Sequence, residues 1–460
     1  MNQTFSSICP ATGETVWQGE AASEAQVMAA VEAARQAFQD WSMRSFETRV
    51  QIAETYASKI REKVEDIALA ISRDMGKALW ESRIEAGAMA NKVAISIASY
   101  QTRTPTRQTE TSALTHRPHG VMAVFGPFNF PGHLPNGHII PALLAGNVIV
   151  FKPSELTPQV AQIMKTCWSE AGLPDGVLNL VQGGRETGSA LLKAEIDGLL
   201  FTGSAKTGTF FHRHFAGRPD IILALEMGGN NPLIIQEPVD IEAAADLAFM
   251  SGFITSGQRC TCARRLILPE GRFGDSVIDA ILARIDTVKI GQWDDNNIFM
   301  GPVVSKAAAK AAIDFEAHLQ AVGGHTLRAL EREGAFLRPA LMDVTQAESP
   351  DEELFAPFLQ VIRVPDLDRA IERANATRFG LASGLLCDDP DIWAYTQPRL
   401  KAGIVNWNKP TTGALSSMPF GGPGLSGNHR PAAYYAADYC AWPQASQKSD
   451  VANGPQMKGF

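Results

Sequence analysis

An α/β fold in two or three domains is what this sequence predicts, and three observations carry that reading. At 460 residues the chain is too long for one compact core. Its first hundred residues carry amphipathic helical periodicity. From Val121 onward, short apolar runs alternate with helical stretches, the pattern of a parallel sheet covered by helices.

Ser23 and Gln26 form a capping box. Behind it Val27, Val31, Ala34, Phe38 and Trp41 share one face, so a helix is expected over 23–41. Ile52, Tyr56, Ile60, Val64, Ile67 and Ile71 recur every three or four positions and predict one helix over 46–72. Asp74-Met75-Gly76-Lys77 ends it, and a third helix is expected over 78–100. The polar stretch 101–112 reads as a linker or edge element. Strands are expected at 121–125, 147–151, 177–181, 198–202, 221–225, 233–236 and 264–268. Helices are expected at 158–171, where Pro158 suits the first turn, and near 241–256 and 273–288.

Composition narrows the function. A net charge of −8 argues against nucleic-acid or anionic-membrane partners. No signal peptide and no membrane span is expected, and the protein reads as soluble and cytoplasmic. Six scattered cysteines make no disulfide framework. Cys260-Thr261-Cys262 has no second Cys/His pair at zinc spacing, so no metal is expected.

In doubly wound sheets ligands bind beyond the carboxyl ends of the strands. The corners there are Gly126-Pro127-Phe128-Asn129-Phe130-Pro131, Lys152-Pro153-Ser154-Glu155 and Gly203-Ser204-Ala205-Lys206-Thr207-Gly208. Two more follow, Glu226-Met227-Gly228-Gly229 and Gly257-Gln258-Arg259-Cys260. These five corners are expected to converge on one rim. An isolated buried cysteine is ordinarily inert packing, which remains the reading for Cys167, Cys262 and Cys440.

These motifs, in this order, resemble the aldehyde dehydrogenase superfamily, with Cys260 standing 34 positions after Glu226. Further matches are Glu352-Glu353-Leu354-Phe355, Asn375 through Gly380-Leu381, Asn406-Trp407-Asn408 and Pro419-Phe420-Gly421-Gly422, so the resemblance spans nearly the whole chain. It departs at Pro423-Gly424-Leu425, which lacks a lysine common there. Pro10–Glu14 also lies nearer the start than usual, so an N-terminal strand is expected to be missing.

The resemblance implies an NAD-dependent dehydrogenase with Cys260 as nucleophile, Glu226 as general base and Asn129 as oxyanion donor. The chemistry of the residues agrees. A thiolate attacks a carbonyl strongly, the resulting alkoxide needs donors, and a carboxylate can activate the water that hydrolyses a thioester. Glu353 and Phe355 resemble the pair that meets the nicotinamide riboside, and Lys152 and Glu155 resemble the adenosine-ribose contacts. Gly203 permits a tight turn, and the N–H groups opening the next helix, from Ser204 through Ala205, Lys206 and Thr207 to Gly208, suit a pyrophosphate. A carboxylate at Glu155 accepts from a ribose 2′-OH and repels a 2′-phosphate, favouring NAD over NADP.

The resemblance further implies a dinucleotide-binding Rossmann-like domain (1–100 and 120–227), an α/β catalytic domain (228–428) and a small β oligomerisation arm (101–119 and 429–460). Tyr434, Tyr435, Tyr439 and Trp442 in the tail suggest a buried interface, and a homodimer or dimer of dimers is expected. The substrate is a small-molecule aldehyde. Gly257 through Arg265, the turn 131–138 and Gly427-Asn428-His429-Arg430-Pro431 are similar to a branch of the family acting on carboxylated semialdehydes. Arg259 is the leading candidate for the substrate's carboxylates, with His133, Thr261 and Arg430 behind it. Two rivals are a coenzyme-A-acylating dehydrogenase, against which Glu226 speaks, and a non-catalytic scaffold.

Overall fold

The computed structural model describes residues 3–452, 454, 455 and 457–459. Positions 1 and 2 of the expected first domain, and 453, 456 and 460 of the expected arm, lie outside the described residues.

Two sheets organise the chain. The first has five parallel strands in the order Leu178–Leu180, Val148–Lys152, Val121–Phe125, Gly198–Gly203, Ile222–Met227. The chain winds outward from Val121–Phe125 in one direction, then returns and winds out in the other. The order therefore reverses between Val121–Phe125 and Gly198–Gly203, and a crevice opens at their carboxyl ends. Asn129 follows one of these strands and Ser204 the other. These strands are buried on both faces and read as unbroken apolar runs because helices cover both sides.

The second sheet has seven strands: His325–Arg328, Ala340–Asp343, Phe358–Val364, Ala263–Pro269, Asn231–Ile235, Ala382–Leu386 and Ile404–Trp407. All its pairs are parallel except the one made by His325–Arg328. A third, antiparallel sheet joins Ala441–Gln447, Ser112–Pro118 and Arg107–Gln108. Thr4–Ile8 and Thr15–Glu20 form a separate hairpin that does not join the five-stranded sheet.

Several elements differ from the sequence expectation. The helix expected over 46–72 is two, Phe46–Glu62 and Val64–Met75, broken where Lys63 leaves helical angles (φ −111°, ψ 19°). Periodicity survives the break because both halves pack the same way, against helix Leu79–Arg103. The stretch 130–138, read as a turn, opens a helix at His133 that runs to Ala145. Its Pro135, Gly137 and Pro141 oppose helix formation, but every residue from Pro135 to Ala145 is buried, and tertiary packing outweighs propensity. The strand expected over 221–225 continues to Met227, so Glu226 is held in the sheet, in register with Thr202.

In the tail, Tyr439 is 1% exposed and lies inside its own chain, bonded to His138. It is therefore unavailable to an interface. Tyr434 and Tyr435 are half-buried, and Trp442 is exposed. No helix among the described residues is long and apolar enough to cross a membrane.

Candidate active site

Cys260 sits in a loop that the backbone shapes by force. Helix Ile241–Phe253 ends, and Thr255, Ser256 and Gly257 then take left-handed conformations (φ 57°, 54° and 72°). Two consecutive non-glycine residues there cost about 1–3 kcal/mol each, so the surroundings must impose them. They do: Thr255 Oγ1 donates to Glu81 Oε1 at 2.5 Å and Ser256 Oγ to the Gly301 carbonyl at 2.7 Å. At position 257 a Cβ would stand 2.1 Å from the Ala356 carbonyl oxygen, so glycine is required.

The next residues are clamped through their carbonyls. Arg264, 1% exposed, donates to Gly257 O at 2.7 Å and Arg259 O at 3.0 Å. Asn231 Nδ2 donates to Cys260 O at 2.7 Å and Cys262 O at 2.8 Å, while its Oδ1 accepts from Ala382 N at 3.0 Å. Cys260 itself is only partly covered, and Cys262 is fully buried, as inert packing requires.

Asn129 is 3% exposed, and its Nδ2 donates to Gln258 O at 3.0 Å. An amide nitrogen carries two hydrogens, so a second remains for an oxyanion. A buried ion pair braces this turn. Lys77 Nζ donates to Glu85 Oε2 and to Asn129 O, both at 2.7 Å, and Glu85 Oε1 accepts from Gly132 N and His133 N. Nothing in the sequence singles out Lys77, Glu85, Arg264 or Asn231 for these roles, because apart from the Lys77–Glu85 pair their partners are backbone atoms of other segments.

Glu226 is 3% exposed and neither carboxylate oxygen has a hydrogen-bond partner of ordinary geometry. Burial first, then repulsion from Glu353, holds its pKa well above the usual carboxylate range, and the Thr202 hydroxyl only partly offsets this. Burial also raises the Cys260 thiol well above its ordinary value, with Glu226 and Glu353 adding to the shift and Arg264 opposing it. Glu353 itself is pushed up to about 7 by burial, against the pull of Arg264 and the Gly229 N–H, which donates to its Oε1 at 3.0 Å. Any Cβ at Gly228 would collide with Glu353 at 1.7 Å, so this carboxylate rests on bare backbone.

Cys260, Glu226, Thr202 and Leu134 line two cavities at once. The inner one also has Asn129, Ser154, Gly203, Ser204, Thr207, Glu353 and Phe355 in its wall. The outer one has Phe130, His133, Arg259 and Thr261. A third cavity is lined by Glu155, the neighbour of Ser154, and by the helix N-terminus around Gly184–Glu186. Gly208 is buried where a Cβ would meet Met227 Sδ at 2.2 Å, bringing helix Ala205–His214 close against its strand. Ser204 caps that helix through Thr207 N. A bare glycine turn, a capped helix N-terminus and a cavity running to Cys260 fit a dinucleotide. Ala205 and Lys206 stand outside these linings, with Lys206 exposed. Lys152 is buried, donates to Pro153 O at 2.9 Å and lies 3.7 Å from Glu155.

Arg259 is bound on one side. Its Nη2 meets Glu81 Oε1 at 2.8 Å, its Nε donates to Thr255 Oγ1 at 2.7 Å, and the guanidinium lies over the Phe130 ring. His133 is neutral, burial above all pushing its pKa down to about 3. Arg430 is not brought to this cavity. Asn428 hydrogen-bonds the strand edge at Leu223 and Leu225, and Gly427 bridges Glu226. The chain then turns outward through His429 at φ 64°, leaving Arg430 exposed.

A reversal-point crevice leading to a thiol and a carboxylate that line the same two cavities is the layout of a nicotinamide-dependent oxidoreductase. The chain belongs to the aldehyde dehydrogenase family, whose sequence pattern matches residues 1–444. It is 54% identical over 454 residues to the N-succinylglutamate 5-semialdehyde dehydrogenase of Pseudomonas fluorescens (strain Pf0-1), covering 96% of this chain and 93% of the relative. Among solved structures, an NAD-dependent aldehyde dehydrogenase from Sinorhizobium meliloti superposes with TM-score 0.93 at 27% identity, covering 99% of this chain and 93% of that one. A glyceraldehyde-3-phosphate dehydrogenase from Methanocaldococcus jannaschii complexed with NADP superposes with TM-score 0.90 at 25% identity, covering 98% of this chain and 100% of that one.

Proposed function

We propose that the enzyme oxidises N-succinyl-L-glutamate 5-semialdehyde to N-succinyl-L-glutamate with NAD, a step of arginine breakdown. The observation that carries the catalytic part is the shared wall: Cys260 and Glu226 face both the cofactor-side and the substrate-side cavity. A carbonyl in the outer cavity meets the sulfur while the inner cavity remains free for the dinucleotide.

Cys260 first loses its thiol proton to the Glu226 carboxylate and through it to solvent. The thiolate sulfur then adds to the aldehyde carbon, and the free amide hydrogen of Asn129 with the Cys260 N–H holds the alkoxide. A single such donor contributes about 2.7–4 kcal/mol. A nicotinamide bound in the inner cavity would supply the hydride acceptor. The acyl group is left on Cys260 as a thioester. Glu226, its basicity raised by burial, takes a proton from water, which attacks the thioester and releases the carboxylate. Such a base beside the sulfur favours hydrolysis over transfer to another thiol. Glu353 and Phe355 would hold the nicotinamide end, and residues 203–208 the pyrophosphate. Lys152 and Glu155 would hold the adenosine ribose, whose 2′-OH suits Glu155.

In the outer cavity Arg259 and Thr261 flank the nucleophile, and His133, neutral, can donate or accept. Arg259, anchored to Glu81, orders the loop first and offers only its remaining face to substrate. Assembly as a homodimer or dimer of dimers is part of the reading. Among the described residues, Ala441–Gln447 pairs on one side only and carries the exposed Trp442, leaving an edge for a second copy.

The substrate assignment is tested by kcat/KM for N-succinylglutamate semialdehyde, glutamate semialdehyde, succinate semialdehyde and an uncharged aliphatic aldehyde. The succinylated compound should be the best of the four. Any other order removes the assignment and leaves the family membership untouched.

A further inference from the structure

The outer cavity contains a charge that the mechanism above does not use. Lys92, on helix Leu79–Arg103, lines it beside Phe130, His133, Gly137 and His138. It is 4% exposed, and among the described residues it has no hydrogen bond and no ion pair. The other buried lysines differ: Lys77 is paired with Glu85, and Lys152 contacts Pro153 O and Glu155. A buried ammonium without a partner is costly to maintain. Burial alone shifts its pKa, down to about 8, with no acidic group close enough to raise it.

The surroundings leave the ammonium open toward the cavity. Position 137 is glycine, and a Cβ there would stand 3.3 Å from Lys92 Cε and 3.7 Å from Nζ. The titratable groups that face it across the helix pair are His133 and His138. Both are driven down to about 3 by burial first and by the Lys92 charge next, so both are neutral. Tyr439, behind His138, is pushed up by burial and stays protonated. Of the other charged groups in the lining, Arg259 is already paired with Glu81, and Glu226 stands beside Cys260.

We propose that the Lys92 ammonium is the counter-ion for a substrate carboxylate remote from the aldehyde, and sets the preference for carboxylated over uncharged aldehydes. This rests on the carboxylated-semialdehyde reading above and assigns that charge recognition to a residue of the helix rather than to the nucleophile loop.

The test is the ratio of kcat/KM for carboxylated aldehydes to that for an uncharged aliphatic aldehyde, in wild type and in Lys92→Met. A charge-assisted contact is worth roughly tenfold to hundredfold in binding. The ratio for the best carboxylated substrate should fall by at least about tenfold in Lys92→Met, with the loss in KM rather than kcat. A pH profile gives a readout that does not depend on a variant. Because kcat/KM reports the free enzyme, the wild-type ratio should be level up to about pH 8 and fall above it, as Lys92 loses its proton. Ionisations of Cys260 and Glu226 act on both substrates and cancel in the ratio.

A wild-type ratio that holds level to pH 10, or a Lys92→Met ratio equal to wild type, overturns the inference. If Lys92→Met lowers the ratio but succinate or glutamate semialdehyde is the better substrate, the role of Lys92 stands and only the choice of semialdehyde fails. A wild type that prefers the uncharged aldehyde overturns both.

Discussion

The side-chain amide of Asn231 donates to the carbonyl of Cys260 at 2.7 Å, so a strand of the second sheet holds the peptide of Cys260. The same nitrogen holds Cys262 O, and the same side chain accepts from Ala382 N in the neighbouring strand. The Cys260 loop is thus tied to the sheet rather than free to follow its strained left-handed residues.

Asn231→Ala should therefore lower kcat/KM by at least about tenfold and lower the midpoint of thermal unfolding. It leaves buried carbonyls without a donor, each costing about 1–3 kcal/mol. Steady-state kinetics and melting curves of the purified variant check this. Wild-type turnover would mean that the loop holds itself.

Cys260→Ala should abolish oxidation. Glu226→Gln should release NADH in a single burst near one equivalent of active sites and then stall as the thioester. Because Glu226 helps hold the Cys260 thiol protonated, the same variant should shift iodoacetamide labelling of Cys260 to lower pH. Rapid-quench kinetics and peptide mass spectrometry read the two effects. Full steady-state turnover by Glu226→Gln would remove it as the base.

Cofactor choice should depend on Glu155, which is half exposed and 3.7 Å from Lys152. NAD should be preferred by the wild type, and Glu155→Gln should narrow the gap by improving kcat/KM for NADP, since repulsion of a 2′-phosphate is relieved while Lys152 remains. A wild type that favours NADP would overturn the ribose assignment.

His138 predicts acid sensitivity. It is 2% exposed, its ring nitrogens bond Tyr439 and Thr202, and burial pushes its pKa down to about 3. Its folded value lies below the unfolded one near 6.5. The unfolded chain therefore takes up a proton that the folded chain refuses. This contribution to stability is complete above about pH 6.5 and is lost as pH falls toward 3, at about 2 kcal/mol by pH 5. Urea unfolding at pH 7.5 and 5 should show that loss, and His138→Gln should reduce the slope. An unchanged slope would place the acid sensitivity elsewhere.

The sequence by itself determined the strand-ending corners and the order of the chemistry-bearing residues. Those signals are local: a glycine turn, a capped helix and an apolar run of strand length each appear within a few positions. It misjudged what depends on the other side of the molecule. Residues 131–138 carry two prolines and two glycines and read as a turn, but burial makes His133–Ala145 a helix. Tyr439 read as an interface aromatic because nothing nearby in sequence shows that His138 and the apolar core around the five-stranded sheet receive it. Arg259 stood out beside the cysteine, yet Glu81, 178 positions away, had already claimed it. Lys92 passed as one residue of a packing helix, and Lys77, Glu85, Asn231 and Arg264 as ordinary polar residues. Their roles rest on buried partners distant in sequence, or on the lack of one, and a lone cation or amide carries no mark of its burial until the chain has folded around it.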